Sequence, residues 1–141
     1  MVRARLGSLL VAILAQVLLS GLSAGAAELP YLFEQLKKPA YKASFNALFR
    51  SEKNLAPWLR AYLKDRNGVD TPGQPIADQG RSYELYDVCE PHNCFGNAIY
   101  VLFTPGGGKA WGLFTKDGGN YRFFGSPDEQ QRAMLTAAAT R

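Results

Sequence analysis

NAIYVLFT, residues 97–104, holds an uninterrupted apolar run from Ala98 to Phe103. Successive side chains of a strand point to opposite faces, so an all-apolar strand requires a sheet that is covered on both sides. The neighbouring stretches read as strands too: RSYELYDVC (81–89) alternates loosely, and KAWGLFT (109–115) and NYRFF (120–124) follow. Their connections, PGGGK (105–109) and KDGGN (116–120), are short and rich in glycine, which predicts antiparallel neighbours in a meander. TPGGGK (104–109) lacks the G-x-x-x-x-G-K-[ST] spacing of a phosphate loop and reads as one of these hairpin turns.

Helices on either side of the strand region supply the two covers. From Leu29 to about Lys64 the pattern is helical, with Pro30, Pro39 and Pro57 each preceding an amphipathic stretch. Tyr41, Phe45, Leu48 and Phe49 share one helical face, as do Trp58, Ala61 and Tyr62, and Gly68 marks a stop. VDTPGQPIADQG (69–80) carries the residues of a loop with a short strand at QPIAD (74–78). At the end, SPDEQQRAMLTAAATR (126–141) predicts a helix capped by Ser126, with Pro127 at its first position and Glu129 completing a capping box. Strand alternation assigns Trp111, Phe114, Tyr121 and Phe124 to the core. The fold class is α+β, a three-layer α/β/α arrangement with a central antiparallel meander sheet flanked by helices.

Residues 1–27 have the three parts of a secretory signal peptide: Arg3 and Arg5, an apolar run, and a small-residue exit with cleavage after Ala26 or Ala27. The run approaches the ~20 residues needed to span a bilayer, but the exit and the lack of a second apolar segment favour cleavage. With no cysteine at the cut, no lipid anchor is expected. Residues 28–141 then form one exported domain of a size typical for a single core. Of 16 Lys and Arg, 14 remain after Arg3 and Arg5 are removed, against 12 Asp and Glu, a net charge of +2. No basic cluster tracks phosphates, so nucleic acid is not an expected partner.

CEPHNC, residues 89–94, contains both cysteines and the one histidine of the chain. It lies between two strand readings and is therefore a hairpin tip. In an oxidising compartment an even cysteine count reads as a disulfide, Cys89–Cys94. Four roles compete for the loop. It could pin a hairpin; it could bind zinc through Cys89, His92 and Cys94 if both thiols were reduced; or it could serve redox chemistry, although C-x-x-x-x-C fits neither the C-x-x-C redox spacing nor the C-x-x-C-H of haem attachment. The fourth role is recognition, with Pro91 and the disulfide holding His92 out towards a partner. A single histidine, no spare thiol and no G-x-S-x-G elbow leave no nucleophilic machinery. The chain reads as a non-enzyme with no cofactor and no metal.

CEPHNC, the following GNAIYVLFTPGGGKAWGLF and the closing FFGSPDEQQRAML together resemble the inhibitor of vertebrate lysozyme family of Gram-negative bacteria. The resemblance implies a periplasmic α/β/α protein, often a homodimer, that inhibits c-type lysozyme by inserting this loop into the active-site cleft. It carries the inhibitory role to His92 and the disulfide to Cys89 and Cys94. The family motif is C-K-P-H-D-C, so Glu90 here stands for a lysine and Asn93 for an aspartate. A regulator of endogenous lytic transglycosylases, or an exported binding protein without inhibitory activity, are the alternative functions.

Overall fold

A computed structural model describes residues 27–119 and 121–141; apart from Ala27, the expected signal peptide lies outside the described residues. The elements are β1 (Leu29–Tyr31), α1 (Leu32–Gln35), α2 (Pro39–Phe49), α3 (Pro57–Asp65), β2 (Val69–Asp70), β3 (Pro72–Asp78), β4 (Arg81–Cys89), β5 (Ala98–Phe103), β6 (Ala110–Thr115), β7 (Arg122–Phe124) and α4 (Glu129–Ala139). The strands form one sheet in the order β1-β3-β4-β5-β6-β7, with β2 beside the far end of β4, and each pairing is antiparallel. The fold is α+β, and its sheet from β3 to β7 is the expected meander.

Two apolar clusters draw on alternate residues of β5. Ile99, Val101 and Phe103 belong to one cluster with Tyr41, Phe45 and Phe49 of α2 and Trp58, Leu59 and Tyr62 of α3. Leu102 belongs to the other, with Tyr83, Leu85, Leu113 and, from α4, Leu135 and Ala138. The period of two along a strand produces this division, and no residue of the run Ala98–Phe103 is exposed. Of the four aromatic residues expected inside, Phe124 is buried, Trp111 and Phe114 are half-buried, and Tyr121 is exposed.

Several local expectations give way to tertiary partners. Leu29–Tyr31 is a strand, not the start of a helix: Pro30 biases Leu29 towards extended backbone, and β3 offers it a pairing edge. Within 69–80 the short strand expected at QPIAD is found and starts earlier, as β3 from Pro72 to Asp78, while the loop reading of 69–73 gives way to β2 and the start of β3. Strand β3 is joined to β4 by a two-residue turn with positive φ at Gln79 (46°) and Gly80 (78°), the type I′ pattern. Pro75 is tolerated within β3 because it lies beyond the short reach of β1, so on that edge no partner strand calls for the N–H that proline lacks.

Helix α3 stops at Arg66, not Gly68. Arg66 is left-handed (φ 57°), and its guanidinium donates to the carbonyls of Tyr62 and Leu63. Gly68 serves close packing instead, because a Cβ there would lie 2.6 Å from Val88 Cγ1. The cap of α4 falls two residues later than expected. Asp128, not Ser126, accepts from the Gln131 N–H at 2.9 Å, while the Gln131 side chain accepts from the Asp128 N–H. A partner remote in sequence fixes that choice: Arg81 of β4 holds the second Asp128 oxygen at 2.7 Å.

A candidate partner-binding loop

The segment that joins β4 to β5 leaves the sheet where Cys89 pairs with Ala98 on one side and with Val69 of β2 on the other. Asp70 anchors β2. It accepts from the Tyr62 hydroxyl at 2.8 Å and the Phe33 N–H at 3.1 Å, tying the strand to α3 and α1. Burial pushes the Asp70 carboxyl above its ordinary value, an effect that these two hydrogen bonds oppose.

Cys89 and Cys94 are joined, with their Cα atoms 4.8 Å apart, and among the described residues no cysteine is free. The zinc and thiol-redox readings of the loop lose their ligands with that bond. Inside the ring the Asn93 N–H donates to the Glu90 carbonyl at 3.0 Å, which defines a four-residue turn over Glu90, Pro91, His92 and Asn93. Proline in the second place and positive φ in the third, here 63° at His92, are the marks of a type II turn. Glycine or asparagine occupies that third place at least cost; left-handed backbone costs other residues roughly 1–2 kcal/mol. A histidine held there, exposed, is presented by the turn and not by packing.

Glu90 and Asn93 brace each other, the Asn93 amide donating to the Glu90 carboxylate at 2.8 Å. The two positions that depart from the family motif thus form one internal bond. The far limb of the loop is pinned as well. Glu90 N–H donates to the Asn97 carbonyl at 3.0 Å, and the buried Asn97 amide donates to the Phe95 carbonyl at 3.3 Å. Gly96 (φ 75°) accepts at its carbonyl from the Gly118 N–H of the β6–β7 turn at 3.3 Å, and a Cβ on Gly96 would stand 2.2 Å from that nitrogen.

All six expected loop residues, Cys89, Glu90, Pro91, His92, Asn93 and Cys94, therefore lie in one closed turn with His92 at its exposed crest. Phe95, Gly96, Asn97 and Gly118 complete the site and were not singled out from sequence. Only the Phe-Gly pair directly after a polar turn could have signalled them. A groove of about 860 Å³, lined among others by Glu52, Lys109, Trp111, Phe123 and Arg132, includes none of the loop residues.

The family model for the inhibitor of vertebrate lysozyme (Ivy) matches residues 40–140. An inhibitor of vertebrate lysozyme from Pseudomonas aeruginosa is 31% identical over 125 residues, covering 79% of each chain. An uncharacterised protein from Yersinia pestis is 29% identical over 123 residues, covering 79% of this chain and 77% of its own. An inhibitor of vertebrate lysozyme from Escherichia coli K12 is 28% identical over 74 residues, covering 52% of this chain and 43% of its own. With a stapled histidine turn on an antiparallel sheet and a match across most of its length, the chain belongs to the inhibitor of vertebrate lysozyme family.

Proposed function

We propose that the chain is a periplasmic inhibitor of c-type lysozyme that places His92 in the enzyme's catalytic cleft. The observation that carries this reading is His92 at the crest of the closed turn, exposed and in a left-handed conformation that a histidine does not favour. The names of the Pseudomonas and Escherichia relatives support the target class. The supporting scaffold is read as three layers, α1 to α3 against one face of the sheet and α4 against the other, from the two apolar clusters.

The chemistry follows from the ring. A retaining glycosidase holds two carboxyl groups ~5–5.5 Å apart across the scissile bond. An imidazole has a nitrogen on each of two edges, so when protonated it donates to both carboxyl groups at once. Hydrogen bonds to charged partners contribute about 1.5–3 kcal/mol each, and occupying the pair silences the acid and the nucleophile together. Because Glu90 is engaged by Asn93, its carboxylate is held within the turn and the imidazole leads into the cleft.

Inhibition of a c-type lysozyme, followed by the clearing of a peptidoglycan suspension, tests the reading. His92→Ala should weaken the inhibition constant by about 2–4 kcal/mol, the range of an interface hot spot. An unchanged constant in that variant removes His92 from the mechanism.

A further inference from the structure

Phe95 is 93% exposed, whereas the other exposed large apolar residues, Tyr31, Phe33, Val69 and Tyr121, range from 38% to 47%. These four keep about half of their surface or more covered by the protein, and such residues are ordinary on a protein surface. Phe95 packs against almost nothing. The backbone that carries it is fixed on both sides. Cys94 before it is closed into the ring, Gly96 after it is seated on Gly118, and its own carbonyl is held by the buried Asn97 amide. A phenyl ring in water on a braced backbone leaves no backbone to be ordered on binding and keeps its apolar surface to contribute.

His92 and Phe95 are three residues apart, so their Cα atoms lie within about 10 Å of each other even in a fully extended chain. One cleft can therefore take both side chains. A cleft built for a glycan offers two kinds of surface: carboxyl groups at the scissile bond, and flat apolar or aromatic platforms on which neighbouring sugar rings stack. The imidazole matches the first and the phenyl ring the second. We infer that Phe95 is a second anchor of the inhibitory loop, occupying a sugar-stacking platform of the target enzyme next to the carboxyl pair that His92 engages. This deepens the function proposed above and rests on it.

The experiment compares the wild type, Phe95→Ser, Phe95→Trp and His92→Ala as inhibitors of c-type lysozyme, with a melting curve for each and with an N-acetylglucosamine trimer as competitor. Phe95→Ser should weaken inhibition by on the order of tenfold or more at an unchanged Tm, and Phe95→Trp, which retains an aromatic face, should hold it within about threefold. The trimer should compete less well against Phe95→Ser than against the wild type, because the variant no longer fills the platform. If the wild type inhibits and His92→Ala does not, yet Phe95→Ser matches the wild type, this inference alone fails. A wild type that neither binds nor inhibits the enzyme overturns the inhibitory reading together with it.

Discussion

At His92 the backbone and the proposed role pull in opposite directions. The left-handed position suits asparagine better than histidine, so His92→Asn should leave the melting temperature unchanged or raised, by up to about 1 kcal/mol in stability, while it abolishes the two-edged hydrogen bonding. Calorimetry and an inhibition assay on the same preparation check both halves. Asp70 makes a separate prediction through pH. Its folded-state pKa is raised, so the folded chain binds that proton more tightly than the unfolded one, and stability falls as pH climbs from the unfolded value towards the folded one. Asp70→Asn keeps an oxygen for Tyr62 and Phe33 but removes this slope. Its Tm should gain on that of the wild type as the pH rises through and above the ordinary aspartate range; a difference that stays constant with pH would contradict the assignment. Asp128 runs the other way, because the Gln131 N–H and the Arg81 guanidinium hold its carboxyl below the ordinary range, and its help to α4 is lost in acid. Cysteine, proline and histidine in six consecutive positions were legible because such residues have few roles. Gly96 and Asn97 were not, since their importance comes from Gly118, a neighbour that the chain brings alongside only by folding.

Among the elements, the β4–β5 hairpin separates stability from presentation. A ring closed over so few residues adds only about 2 kcal/mol by the chain-entropy account. Replacing Cys89 and Cys94 with serine should thus leave a folded, cooperatively melting protein that inhibits more weakly than its modest loss of stability explains. Equal inhibition by the double variant would show that the staple does not serve recognition. Helix α4 is held differently: Leu135 is fully buried against Leu102 and Leu113 of the sheet, and Leu135→Ala should cost about 2–5 kcal/mol in denaturant unfolding. Strand β5 could be read directly because six successive apolar side chains admit few other placements. β1 and the first residues of β3 were hidden behind Pro30 and Pro72, which signal loops in sequence, whereas the QPIAD part of β3 was legible. The start of α4 slipped by two residues because local capping signals exist at both Ser126 and Asp128, and only Arg81, arriving from β4, distinguishes them.

For the molecule as a whole, the proposed function predicts that one stapled projection meets a lysozyme as a discrete complex. A protein of residues 28–141 and a c-type lysozyme should co-elute from a sizing column, and its His92→Ala variant should elute separately at the same concentrations. The contact between Gly96 and Gly118 bears on how such a projection could be reused. Because the turn between β6 and β7 buttresses the hairpin from outside the disulfide ring, a cyclic hexapeptide copied from residues 89–94 would lack its brace. Transplanting this warhead onto another scaffold calls for both turns, carried together as a two-hairpin graft.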